Sequence, residues 1–304
     1  MEQPPVILAV VGDSAAGKTT LTTGVATILG PSQVVTLRLD DYHRYNRAER
    51  ECFGLTPLHP DCNYLEMMED HLFQLSMGRS IIKPVYNHKT GDFDARQRLE
   101  AAPFVMTEGL LALATPRLRE PCHMRVFLDP PEDLRERWKI RRDSVRRGYT
   151  PEQVREEMAR RRGDAIEFIQ PQRGWADLIV RFFPAEPGAE QLSVRLILRP
   201  TLSYPDLSEV IASQGDPPVM RLRVGRDDGR LTEILEIDGR LSTLQAEAVE
   251  DVIWEHLPGL SHLRPEQIGT YLDGTDCRQS HVLGLVQLLI AYQLLLKAET
   301  LQQS

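Results

Sequence analysis

The sequence predicts an α/β fold: a parallel sheet flanked by helices, extended by antiparallel strands and closed by a C-terminal helix. Three observations carry this expectation. Short apolar runs alternate with helix-length stretches as far as about residue 185. A glycine-bounded motif sits between the first apolar run and the first helical stretch. Beyond that, the pattern changes to strict two-residue alternation broken by turn residues.

The first run, Val6–Val11, lies between two prolines and Gly12 and reads as a buried strand. Val34–Leu39, Phe104–Met106, Arg125–Leu128 and Leu178–Phe183 are further short runs of the same kind. Between them, Lys18–Leu29, Tyr64–Met77 and the long basic stretch Pro131–Ile169 are helical by pattern. Helices of that length return the chain to the same end of the sheet, so the strands run parallel. After "FFPAEPGAEQ" (Phe182 to Gln191) the segments "LSVRLILR", "VMRLRV" and "TEILEI" alternate apolar with polar. The last two are joined across "GRDDGRL", a hairpin signature, so this part adds antiparallel strands.

The apolar segment "HVLGLVQLLIAYQLLLKAE" is interrupted by Gln287 and Gln293. It predicts a buried or interface helix rather than a membrane span. The expected organisation is a core over residues 1–185, with an Arg-rich lid at about 139–165, and an extension over 186–304 packed on it.

Bulk composition narrows the function. The chain has 304 residues, 41% hydrophobic and 26% charged, with a formal net charge of −8. That charge argues against nucleic acid or anionic membrane as a partner, so any anion site must be local. The four cysteines form no CxxC pair and no Cys/His ligand spacing, and read as free thiols of a reducing compartment. The N-terminal apolar run is too short for a secretory signal and no basic residue precedes it. The expected location is the cytoplasm.

"GDSAAGKTT" (Gly12 to Thr20) satisfies GxxxxGK[ST] between a strand and a helix. Gly12 and Gly17 let the loop curl so that backbone N–H groups face phosphate oxygens, with Asp13, Ser14, Ala15 and Ala16 forming its rim. Lys18 neutralises the β/γ-phosphates, and Thr19, followed by Thr20, offers a hydroxyl to Mg²⁺. The implied ligand is ATP or another nucleotide. Such a loop serves many acceptors. The NKxD motif and Thr-bearing switch of a G-protein are missing from the sequence. Glu108, at the end of "FVMTE", is the candidate carboxylate on the metal side.

"DDYHRYNR" (Asp40 to Arg47) follows the second strand. Ligands of doubly wound sheets bind beyond the carboxyl ends of the strands, so this segment and the glycine loop face one crevice. A carboxylate of Asp40 or Asp41 there can take a proton from an attacking hydroxyl. His43, Arg44 and Arg47 suit an acceptor that is itself anionic. "WKIRRDSVRRGYTPEQVREEMARRR" (Trp138 to Arg162) holds nine Lys/Arg against four Asp/Glu. If helical, it puts Leu134, Trp138 and Val145 on one face and Lys139, Arg142, Asp143 and Arg146 on another, with Arg147 at the edge. It reads as a lid closing on phosphates. "YNHKTGDFD" puts Tyr86 and His88 beside a glycine-containing turn.

At these residues the sequence resembles the phosphoribulokinase/uridine kinase family of P-loop kinases, and within it the phosphoribulokinases. The shared motifs are "GDSAAGKTT", "LDDYHRYNR", "KPVYNHKTG", "TEGL", "WKIRRDSVRRG" and "FIQPQ", and more loosely "LEIDGRL" and "VLGLVQLL". The pattern is most like the dimeric form of plants, cyanobacteria and some archaea. The resemblance implies a P-loop kinase core, a homodimer, and transfer of the ATP γ-phosphate to O1 of ribulose 5-phosphate with Mg²⁺. It implies Asp40 as the base, Lys18 and Thr19 on ATP–Mg²⁺, Glu108 on the metal side and Asp143 as a second catalytic acid. Lys139 and Arg142 match the family's lid residues near the transferring phosphate. His43, Arg47, Tyr86, His88 and Arg147 match residues that engage the sugar phosphate. Asn46 stands where the family usually has Asp, and Ala16 and Arg38 stand where the plant enzymes carry regulatory cysteines. Two rivals follow from the same residues. One is a nucleoside kinase of the uridine kinase type. The other is an ATP-binding regulatory protein without phosphotransfer, which would predict damage at Lys18, Asp40 or Glu108; all three are intact.

Overall fold

Seven consecutive buried residues, Val6–Gly12, form strand β1, and the rest of the sheet is built around it. The structure is a computed structural model. It describes residues 4–212, 218–273 and 276–302, with only the backbone described at residues 146, 147, 258, 259 and 261. The strands that follow β1 are β2 (Val34–Arg38), β3 (Ile81–Asn87), β4 (Asp92–Leu99), β5 (Phe104–Gly109) and β6 (Met124–Leu128). Then come β7 (Leu178–Pro184), β8 (Leu192–Leu198), β9 (Met220–Asp227), β10 (Arg230–Ile237), β11 (Thr270–Asp273) and β12 (Asp276–Gln279). The helices are α1 (Lys18–Leu29), α2 (Arg47–Phe53), α3 (Leu65–Ser76), α4 (Pro116–Arg119), α5 (Glu132–Arg147), α6 (Pro151–Asp164), α7 (Ser208–Ala212), α8 (Thr243–Glu255) and α9 (His281–Gln302).

One eight-stranded sheet runs in the order β2-β5-β1-β6-β7-β8-β10-β9. The first five strands are parallel; β8, β10 and β9 continue the same sheet antiparallel. The expected strands are present within two or three residues of their predicted ends, and the C-terminal strands join the parallel part through β8, which hydrogen-bonds to β7. The β3–β4 hairpin and α8 were not anticipated. Pro84 inside β3 and the mostly exposed, charged β4 hide the alternation that marks a strand.

The basic stretch after Pro131 is not one helix. Gly148, at φ 69°, ends α5 in the left-handed conformation, and Thr150 with Gln153 caps α6, whose first residue is Pro151. The predicted apolar face of α5 is corrected too. Leu134 is buried, but Val145 is exposed, and Lys139 and Asp143 are the buried pair instead.

Apolar residues pack on both faces of the sheet. α1, α8 and α9 cover one side and α3 with the loop after β5 covers the other. α9 is long and apolar enough to cross a membrane by length and composition. Its residues from Val282 to Leu295 are all buried in the fold, as a core helix requires. Gln287, buried among them, donates to the carbonyl of Thr20 (3.1 Å) and accepts from the N–H of Gly269 (3.1 Å). It fits because position 24 is glycine: a Cβ there would lie 2.0 Å from the Gln287 amide.

Candidate active site

The parallel strands bring three loops to one edge. The glycine loop follows β1, the Asp40 turn follows β2, and Glu108 ends β5. β5 lies between β1 and β2, and Glu108 is opposite Val10 on one side and Arg38 on the other. A continuous cleft of about 2050 Å³ runs along this edge. A single ligand of ordinary size needs roughly 300–1,000 Å³, so the cleft has room for two.

In the glycine loop, Gly17 (φ 97°) is the residue before α1, and Ala15 adopts a left-handed conformation (φ 64°). A Cβ at Gly12 would lie 2.8 Å from the Leu128 carbonyl. The Lys18 ammonium is curled into the loop, donating to the carbonyls of Gly12 (2.8 Å) and Asp13 (3.2 Å). Asp13 accepts the Ser14 N–H at 2.6 Å and pairs with Arg135 of α5 at 3.2 Å. Ala16 is buried beneath the loop.

Thr19 donates to Oε1 of Glu108 at 3.0 Å, and Thr22, one turn along α1, donates to Oε2 at 2.8 Å. Thr19 and Glu108 are adjacent hard oxygen donors, the kind Mg²⁺ takes alongside phosphate oxygens. Among the described residues no cluster of three His, Cys, Asp or Glu could hold a metal. Thr22 was not anticipated, although its three-residue spacing from Thr19 puts it on the same helix face.

The two carboxylates after β2 separate in role. Asp41 is buried, paired with the buried Lys83 of β3, and accepts the Tyr86 N–H at 3.1 Å. It ties the β3–β4 hairpin to the core. Asp40 lines the cleft and accepts the Leu110 N–H at 3.1 Å. The loop carrying Leu110 is gripped by Gln172, which donates to the Leu110 carbonyl (2.8 Å) and accepts from the Leu113 N–H (2.8 Å).

The hairpin and α2 form the far wall. Tyr86 and His88 pack edge-on at 5.1 Å between centroids, and His43 packs edge-on against Tyr86 at 4.7 Å. Burial, then the nearby Arg50, push the His43 pKa down to about 4, against the opposing pull of Asp40. Arg47 donates to the carbonyl of His88 at 2.7 Å. Asn46 caps α2: its side chain accepts from the Glu49 N–H (3.0 Å) and Glu49 accepts from the Asn46 N–H (2.8 Å). An aspartate would cap the helix equally well, so the cap itself does not require asparagine here.

Sequence reasoning missed Arg50. It is buried, donates to the Tyr45 carbonyl (2.8 Å) and Tyr86 hydroxyl (2.6 Å), and lies 4.9 Å from the Tyr86 ring centroid. No carboxylate pairs with it among the described residues. Its only sequence signal is a three-residue spacing from Arg47 on a helix.

On α5, Lys139 and Asp143 pair at 2.8 Å, are both fully buried and stand behind the cleft wall. Lys139 also reaches Glu157 of α6 at 3.3 Å. Arg142 does line the cleft; its Nε and Nη2 bind the two Asp143 oxygens at 2.8 and 3.2 Å, and Nη2 reaches the Ser14 hydroxyl at 3.4 Å. Burial works against the Asp143 charge, but Arg142 and Lys139 outweigh it and hold its pKa at about 2. Desolvation lowers the Lys139 pKa against its acidic neighbours. The side chain of Arg147 lies outside the described residues.

Comparison with known proteins gives a consistent result. The sequence model of the Phosphoribulokinase / Uridine kinase family matches residues 7–187. A phosphoribulokinase of Synechocystis sp. is 30% identical over 260 residues, covering 79% of this chain and 78% of its own. A chloroplastic phosphoribulokinase of Chlamydomonas reinhardtii is 30% identical over 215 residues, covering 64% of this chain and 57% of its own. The chain thus spans just over half the length of that chloroplast relative. A uridine kinase of Chloroflexus aggregans is 31% identical over 185 residues, covering 59% of this chain and 88% of its own. A structure described as phosphoribulokinase from Rhodobacter spheroides shares the fold, with a TM-score of 0.60 at 19% identity over 86% of this chain and all of that one.

Proposed function

The chain belongs to the phosphoribulokinase/uridine kinase family, and on that premise we propose that it moves the γ-phosphoryl group of ATP to O1 of ribulose 5-phosphate, giving ribulose 1,5-bisphosphate. Members of this family are kinases, phosphotransferases with an alcohol acceptor. The choice of acceptor rests on one observation. Arg50 is a buried cation on the acceptor side with no carboxylate partner among the described residues, and Arg47 lines the same wall. An unpaired buried charge is costly, which favours an acceptor that brings its own anion. A sugar phosphate does so and a nucleoside does not.

In this reading the loop N–H groups and Lys18 hold the β- and γ-phosphates. Thr19 and Glu108 would hold Mg²⁺, which when bound would offset the negative charge that develops on the phosphates. Thr22 fixes the second Glu108 oxygen, leaving Oε1 for the metal side. Asp40, aligned by the Leu110 N–H, takes the proton of the attacking hydroxyl. Arg142 is the lid cation nearest the loop. Asp143, with its pKa near 2, has no proton to give at neutral pH, so it acts as a positioning residue that holds the Arg142 fork. Lys139 acts through Asp143 in the same way. His88 and Tyr86 complete the acceptor side, and the family resemblance adds Arg147 to the substrate-binding residues.

The chain is proposed to work as a homodimer in the cytoplasm. The edge strand β9, with exposed Leu222 and Val224, supports pairing with a second copy. The four free cysteines fit a reducing compartment.

The test is an ATPase-coupled screen of ribulose 5-phosphate, ribose 5-phosphate, uridine and cytidine. Turnover of ribulose 5-phosphate with negligible nucleoside turnover is expected. Faster turnover of uridine would replace this reading by the nucleoside kinase one.

A further inference from the structure

The protonation of His43 is dictated from behind. The residue keeps 2% of its surface exposed, lines the cleft, and bridges to Asn63. Its Nδ1 lies 2.9 Å from Oδ1 of Asn63. The Asn63 amide cannot be reversed, because Nδ2 donates to two backbone carbonyls, Pro57 at 3.0 Å and His59 at 2.9 Å, and a carbonyl only accepts. Oδ1 therefore faces the imidazole, and a ring nitrogen facing an acceptor must carry the proton. A neutral imidazole has one N–H, so Nε2 is left with a bare lone pair. The groups around the ring are Tyr86, His88, Arg50 and Asp40. Burial and Arg50 outweigh Asp40 and keep the ring uncharged near neutral pH.

We propose that His43 selects the acceptor by accepting a hydrogen bond from one of its hydroxyls at Nε2, and does not hold its phosphate. This rests on the reading that the acceptor is a sugar phosphate. A phosphate dianion has no proton to offer a lone pair and is repelled by it. The acceptor wall is then divided: Arg47 and Arg50 take the anion, and His43 takes a hydroxyl other than the attacking one. A buried acceptor left unmatched penalises any analogue lacking that hydroxyl. The assignment narrows to a hydroxyl the contact with the sugar phosphate that the sequence resemblance implies for this position.

Two measurements test it. The first is ¹⁵N NMR of the histidines in the substrate-free protein from about pH 5.5 to about pH 8. A single proton on Nδ1 of His43 throughout is expected; a proton on Nε2, or an imidazolium over that range, overturns the proposal. This reading needs no substrate, so it is decided even if ribulose 5-phosphate proves the wrong acceptor. The second compares kcat/KM for ribulose 5-phosphate and its 3-deoxy and 4-deoxy analogues in the wild type and in His43→Phe. In the wild type one analogue should lose about 10- to 100-fold. In His43→Phe that loss should vanish, and competitive inhibition by inorganic phosphate should stay unchanged. Equal losses in both proteins, or weaker phosphate inhibition in the variant, would overturn it.

Discussion

The carboxylate of Asp40 accepts the backbone N–H of Leu110 at 3.1 Å, so the loop that leaves the strand carrying Glu108 also aligns the proposed base. Asn at position 40 can still accept that bond through its amide oxygen, but it cannot take a proton. Asp40→Asn should lower kcat by roughly 10²–10⁴-fold, the usual share of a general base. ATP affinity, measured by equilibrium binding, should stay within about twofold of the parent. A variant with near-parent kcat would assign proton transfer elsewhere.

Gly109 should tolerate no side chain. A Cβ there would lie 2.7 Å from the Leu39 Cβ and 3.2 Å from the Asp40 Oδ1. Gly109→Ala must push the Asp40 turn away from β5, and overpacking of this kind costs about 1–3 kcal/mol. Thermal unfolding should move down by several degrees. Single-turnover phosphoryl transfer should slow even at temperatures where the variant is fully folded, because the base has been displaced.

Asp143→Asn should damage both stability and catalysis. Removing one partner of a buried ion pair costs about 3–5 kcal/mol, and the Arg142 fork loses its anchor. The pH signature has a definite sign. The folded pKa, about 2, lies below the ordinary 3.8, so the stabilisation is full above the ordinary value and is lost as pH falls toward 2. Its size is on the order of 2 kcal/mol. Denaturant titrations between about pH 5 and about pH 2 should show this acid-side loss in the parent and a shallower one in the variant.

Arg50→Met should separate function from stability. The variant loses a charged donor to the acceptor, worth about 1.5–3 kcal/mol, so the KM for the sugar phosphate should rise roughly 10- to 150-fold. Exchanging a buried, uncompensated charge for an apolar side chain is often neutral or stabilising. The melting temperature should therefore hold or rise while acceptor binding fails. A fall in both would make Arg50 a structural residue.

Local features were legible in the sequence and long-range ones were not. The phosphate loop is a single short segment whose glycines, lysine and threonine carry their own geometry. The parallel strands announce themselves as apolar runs, because both faces of such a sheet are covered. Asp40 and Asp41 are neighbours in sequence, and only the Lys83 beneath Asp41 separates their roles. Lys139 and Asp143 read as part of a face closing on phosphates, and their burial was hidden because their third partner, Glu157, comes from the next helix. Arg50 draws its significance from having no carboxylate ion-paired with it among the described residues, which the sequence does not express. Gln172 and Asn63 act through backbone carbonyls, and a carbonyl has no letter in a sequence.

The Gln287–Thr20 hydrogen bond spans 267 positions of the chain. It gives the protein an order of assembly. A ribosome exposes the glycine loop long before Gln287, and the helix behind the loop lacks its neighbour until Gln287 has been translated. Until then the apolar flank of Lys18–Leu29 is open to chaperones and to other nascent chains, the hazard of folds that depend on contacts distant in sequence. A nascent chain stalled before α9 should therefore bind a trigger-factor-type holdase through that flank, and should release it when α9 docks.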